Sequence, residues 1–138
     1  MFKTIWIGNE SYQEYFDEFN PAMIMLYKTI DKKRLKDSVP IGMLRLIANR
    51  SVFEIEKFAV KFQYRNKKLA RYMMDWAICY VIERSGTEII VYPNPHNDWG
   101  DPNISIIELY DRYEHLGFQF TEKNVNKNIP NNKMVRYV

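Results

Sequence analysis

Apolar and polar residues alternate over residues 2–7 and the alternation stops at Gly8-Asn9, which predicts a short strand. Over residues 10–19 the period changes. Tyr12, Tyr15, Phe16 and Phe19 recur three and four apart, which predicts one short amphipathic helix stopped by Asn20-Pro21. Residues 22–30 predict a strand, and the polar run 31–38 a loop. Strands at 41–48 and 52–60 are separated only by Asn49-Arg50-Ser51, too short a link for anything but a hairpin, so these three strands form an antiparallel meander. In strand 52–60, strict alternation puts Phe53, Ile55, Lys57 and Ala59 on one face and Glu54, Glu56, Phe58 and Val60 on the other.

The longest helical pattern covers residues 69–84. Leu69, Met73, Trp76 and Tyr80 form one stripe, with Ala70, Met74, Ala77 and Val81 beside it, and Ser85-Gly86 is the stop. Residues 87–92 are nearly all apolar, as in a buried parallel strand, so strand, helix and strand make a right-handed crossover. Residues 93–102 carry three prolines and a glycine and read as a loop. Asp101-Pro102 supplies an N-cap and first turn for a second helix, with Ile106, Leu109, Tyr110, Tyr113 and Leu116 facing inward and Gly117 ending it. Strands at 118–122 and 133–138 close a single domain spanning residues 1–138.

Chemistry enters at the junction between the strand 52–60 and the first long helix. Arg65, Lys67 and Lys68 crowd a helix N-terminus, the end that disfavours cations, and no acidic residue follows until Asp75. Either these side chains simply point into water, or an anion sits among them, because free backbone N–H groups, the helix dipole and basic side chains together form a phosphate cradle.

Composition narrows the possibilities. The 138 residues, 46% of them hydrophobic, can build one core without a metal or disulfide staple. The net charge of +3 gives a weak preference for anionic ligands and argues against a nucleic-acid-binding domain. Cys79 is the single cysteine; it excludes an intrachain disulfide and is expected to be a buried core thiol. No cluster has metal-ligand spacing, so no metal is expected. The first residues do not form a signal peptide and no stretch reaches the roughly 18 apolar residues that span a bilayer, so no membrane partner and a cytoplasmic location are expected.

Two short motifs resemble the signatures of the GNAT superfamily of N-acetyltransferases. The family's pyrophosphate loop reads Arg or Gln, two residues, Gly, one residue, Gly or Ala; Arg65-Asn66-Lys67-Lys68-Leu69-Ala70 follows it, with Lys68 in place of the Gly. Downstream, Tyr113-Glu114-His115-Leu116-Gly117-Phe118 matches the family's Tyr and Gly-Phe at the end of the last helix. The resemblance implies an α/β (α+β) fold: a mixed, mostly antiparallel twisted sheet of about six or seven strands, splayed centrally, with helices on both faces. Acetyl-CoA would lie in the splay, backbone groups of Phe58, Ala59 and Val60 would pair with its pantetheine arm, and Arg65, Asn66, Lys67, Lys68, Leu69 and Ala70 would wrap the pyrophosphate.

The same resemblance makes Tyr113 the candidate general acid, and Glu54 or Glu56 the base, Glu54 slightly ahead, for transfer of an acetyl group to a primary amine of a small molecule or protein. His96 and His115 are weaker candidates. Ile106 and Leu109 stand where the family often has Asn and Ala, and the helices that usually wall the acceptor site have shrunk to the segment 10–19. These departures keep a second reading open, a catalytically degenerate binding module on the same fold. The acceptor has no code in the sequence, and a homodimer is neither required nor excluded.

Overall fold

The computed structural model describes residues 2–18, 21–28, 39–65, 68–95 and 104–138. Eight strands form one sheet in the order β1-β2-β3-β4-β5-β6-β8-β7. β1 (Phe2–Ile7), β2 (Glu10–Asp17), β3 (Ala22–Lys28), β4 (Gly42–Asn49) and β5 (Val52–Val60) run as an antiparallel meander. Helix α1 (Leu69–Glu83) then leads to β6 (Glu88–Val91), parallel to β5, as the crossover expectation requires. Helix α2 (Ile106–His115) precedes the closing antiparallel pair β7 (Gln119–Phe120) and β8 (Met134–Tyr137), and β8 also pairs with β6.

Where a helix is expected over residues 10–19, Glu10–Asp17 form a strand instead. Gly8-Asn9 is a two-residue hairpin loop, with Gly8 at φ +62 and Ile7 opposite Glu10, and it turns the chain straight back along β1. The period-2 signal is hidden because Tyr12, Gln13 and Glu14 are all buried. Polar groups can sit there because they have partners: Gln13 Nε2 donates to Thr4 Oγ1 at 2.8 Å, and Glu14 accepts from the Tyr72 hydroxyl at 2.7 Å. This strand takes the sheet to eight.

Strict alternation along β5 also fails. Arg45 pairs with Lys57 and Leu46 with Ile55, which leaves Glu56 as an extra residue in a bulge. Leu44 pairs with Phe58, so beyond the bulge Phe58 and Val60 join the face of Phe53 and Ile55. Between β4 and β5, Arg50 takes φ 58 in the tight turn.

The core lies between the sheet and the helices. Ile24, Leu26, Leu44 and Leu46 meet Met73, Met74, Ala77 and Val81 of α1, all nearly free of solvent. At the end of α1 the left-handed residue is Ser85, at φ 58, and Gly86 is required for space: a Cβ there would overlap Val81 and stand 2.8 Å from the Phe53 ring. Cys79 is exposed, not the core thiol expected, since it falls on the solvent side of the broad apolar band. The N-cap of α2 is Ser105, whose hydroxyl accepts from the Glu108 N–H at 3.1 Å. Residues Ser105 and Glu108 have the spacing of a capping box, which replaces the expected start at Asp101-Pro102; those two positions lie outside the described residues. No helix among the described residues is long and apolar enough to cross a membrane.

Candidate active site

β5 is longer than its parallel partner. Its pairing with β6 covers only Val52, Phe53 and Glu54, opposite Glu88, Ile89 and Ile90, while the strand continues to Val60. Beyond Glu54 the two strands separate, and residues 55–60 present their β6-facing edge to a cleft of about 860 Å³ instead of to a neighbour. The N-terminus of α1 and one side of α2 form its other walls. An open strand edge beside a helix N-terminus offers an extended, amide-bearing ligand a ladder of backbone hydrogen bonds and offers an anion unpaired N–H groups.

Arg65, Lys68, Leu69 and Ala70 of the pyrophosphate-like segment line this cleft. Lys68 is the N-cap of α1 and takes φ 64, ψ 16, with its side chain exposed and no side-chain cap. Left-handed backbone is a second reason, beside close approach, for glycine to suit this position. Leu69 is buried at 1% exposure and anchors the helix start, and Ala70 is half-buried beside it. Arg65 turns back, its Nε donating to the Val60 carbonyl at 3.1 Å, so it joins the end of β5 to the approach to α1. Burial lowers the Arg65 pKa and the nearby charge of Arg112 lowers it further, with Glu108 acting in the opposite sense. Asn66, Lys67 and His96 lie outside the described residues.

Phe58, Ala59 and Val60 all line the cleft, and so does Tyr113 on the facing side of α2. The Tyr113 ring packs edge-on between Phe58 and Phe118, with centroids 6.0 and 5.4 Å away. Its hydroxyl has no protein partner among the described residues, and burial pushes its pKa well above the ordinary tyrosine value. A neutral phenol kept protonated by burial can donate a proton to a developing anion.

The two glutamates part company. Glu56, in the bulge, lines the cleft and is held by Arg45: Nη2 donates to Oε1 at 3.1 Å, while Nε stands 2.9 Å from Oε2 with its N–H off line. Glu54 lies where β5 and β6 are still paired, opposite Ile90, and does not line the cleft. His115 lines it but is exposed, with Nδ1 2.7 Å from the Asp111 carbonyl. Among the described residues no group of three or more His, Cys, Asp or Glu side chains could hold a metal ion. Sequence reading missed Glu108 and Arg112, which also line the cleft and whose spacing of four puts them on one side of α2.

The model of the Acetyltransferase (GNAT) family matches residues 3–118. The chain belongs to the GNAT acetyltransferase family. That makes it an acyltransferase and confirms the resemblance drawn from Arg65 to Ala70 and from Tyr113 to Phe118. Solved GNAT structures share the fold at low identity. Ard1 from Thermoplasma volcanium superposes with a TM-score of 0.62 at 16% identity, over 88% of this chain and 73% of that one. A GNAT family acetyltransferase from Elizabethkingia anophelis with acetyl-CoA bound gives 0.56 at 15% identity, over 85% and 76%. The PaiA N-acetyltransferase from Thermoplasma acidophilum in complex with coenzyme A gives 0.59 at 16% identity, over 84% of this chain and 60% of that one. No curated protein sequence matches. Within the family frame, the stretch expected to retain a shrunken helical wall is β2, and β2 connects to β3 through residues 18–21 alone.

Proposed function

We propose that this GNAT chain transfers an acetyl group from acetyl-CoA to a primary amine of a small molecule or protein by direct attack on the thioester. The observation that carries the reading is the coincidence, in one cleft, of the open edge of β5 over residues 55–60, the N-terminus of α1 and the unpartnered hydroxyl of Tyr113. Phe58 to Val60 would pair with the amides of the pantetheine arm. The N–H groups at the start of α1, with Lys68 beside them, would hold phosphate.

In the reaction, the neutral amine nitrogen forms a bond to the thioester carbon as the C–S bond breaks. The departing thiolate takes the Tyr113 proton, and the proton that the attacking nitrogen loses on becoming an amide passes to a carboxylate or to water. Glu56 is the glutamate in reach of that cleft, oriented by Arg45; Glu54, deeper in the sheet, would act only through water. Backbone N–H groups near Val60 would support the oxyanion.

The test is thiol release from acetyl-CoA in the presence of polyamines, amino acids, aminoglycosides and peptides, with the acetylated product identified by mass. Tyr113→Phe is expected to lower kcat by roughly 100-fold or more while leaving acetyl-CoA affinity nearly unchanged. Glu56→Gln should lower kcat more than Glu54→Gln. Binding of acetyl-CoA with no turnover on any amine would instead favour the degenerate binding module, the reading that Lys68, Ile106 and Leu109 keep in play.

A further inference from the structure

The cleft carries more positive charge than the pyrophosphate-like segment supplies. Arg112, on α2, lines the same cleft as Arg65, and the two guanidinium groups are near enough that the charge of one depresses the pKa of the other. Two like charges converging in a half-buried site are unfavourable in the absence of a counter-ion. The other cations nearby are differently engaged. Arg71 donates to the His115 carbonyl at 3.2 Å and so ties α1 to the C-terminal end of α2, while Arg65 is bonded to the Val60 carbonyl. Arg112 forms no side-chain hydrogen bond or ion pair among the described residues, although Glu108 stands one turn away on its own helix. An exposed arginine close to another in one cleft, with a carboxylate at hand that it does not take, is a donor fork open to an external anion.

We propose that Arg112 is a phosphate ligand for the CoA moiety, closing on it from α2 while the N-terminus of α1 holds it from the other side. The assignment rests on the acetyl-CoA reading and adds a specificity determinant to it. Arg112 makes affinity depend on the phosphates of the donor and compensates for Lys68 at the close-approach position. The neighbouring Glu108 works against the same anion and tunes the site downward.

The experiment is calorimetric titration of the full chain with CoA, 3′-dephospho-CoA, 4′-phosphopantetheine and acetyl-pantetheine, for the wild type, Arg112→Gln, Arg112→Lys and Glu108→Gln. Arg112→Gln should weaken CoA roughly 10- to 100-fold, the worth of a charge-assisted hydrogen bond, and Arg112→Lys should recover part of the loss. Acetyl-pantetheine, which has no phosphate, should not respond. If the loss shrinks on dephospho-CoA the contact is to the 3′-phosphate; if it persists there, the contact is to the pyrophosphate. Glu108→Gln should tighten CoA by a few-fold, a gain that an unfolded variant cannot imitate. An equal loss on acetyl-pantetheine, or unchanged CoA affinity in Arg112→Gln, overturns the assignment while leaving the acetyl-CoA reading intact. Failure of the wild type to bind CoA at millimolar concentration overturns both.

Discussion

Lys68 stands where the family's loop has glycine, and its left-handed backbone gives the substitution a measurable cost. A left-handed L-residue is strained by about 1–2 kcal/mol, and glycine gives back about 0.5–1 kcal/mol in unfolded-state entropy. Lys68→Gly is therefore expected to raise stability by up to about 1 kcal/mol in urea denaturation. Its effect on CoA affinity is independent of that gain: tighter binding means the side chain obstructs the phosphates, weaker binding means the ammonium is a ligand. Tyr113 makes a second prediction at this scale. Burial raises its pKa, so the folded state keeps a proton that the unfolded chain releases above pH 10. The stability it contributes is complete below pH 10 and is lost as pH rises above that value, at about 1.4 kcal/mol per unit. Wild type should lose stability faster than Tyr113→Phe between pH 10 and 11 in chemical denaturation. For the same reason, Tyr113 ionisation should not limit kcat below pH 10.

Among the elements, α2 positions both Tyr113 and Arg112, and its start is set by one residue. Ser105→Ala removes the acceptor for the Glu108 N–H and should cost about 1 kcal/mol, with a parallel loss of CoA affinity as the first turn frays. The hydroxyl–carboxylate pair of Tyr72 and Glu14 is the corresponding tie between α1 and β2. Desolvation and that bond together raise the Tyr72 pKa. Tyr72→Phe leaves a carboxylate at 4% exposure without its donor and is expected to cost about 1–3 kcal/mol, read as a lowered midpoint in urea. Element types were legible where pattern and burial agree: β3, β4, β5, α1 and α2 all fall on their predicted segments. They were not legible in β2, whose aromatic spacing mimics a helix and whose buried Gln13 and Glu14 erase the alternation of a strand.

At the scale of the whole molecule, the cleft lies where β5 runs on beyond its pairing with β6, lined also by residues of the two helices. Filling it should stabilise the fold by mass action: acetyl-CoA at 100 times its Kd adds about 2.7 kcal/mol. For a chain of 138 residues this is a rise of roughly 10 °C in Tm, measurable by differential scanning fluorimetry. Pantetheine alone should give a much smaller shift at equal concentration, because Arg65, Lys68 and Arg112, which line the cleft, would then have no anion.

Local chemistry was enough to place the misfit cations at Arg65 to Lys68 on a strand-to-helix junction, and Tyr113 and Gly117-Phe118 on a helix-to-strand junction. These are short-range properties of charge, turn preference and period, and they carried the family. The tertiary structure decided what depends on chain segments far apart in sequence. The bulge at Glu56 puts that glutamate on the cleft and leaves Glu54 among paired strands. Left-handed backbone at Lys68 turns a side-chain question into a backbone one. The packing of α2 brings Arg112 into one cleft with Arg65, a meeting that no local pattern encodes because only packing between distant segments creates it.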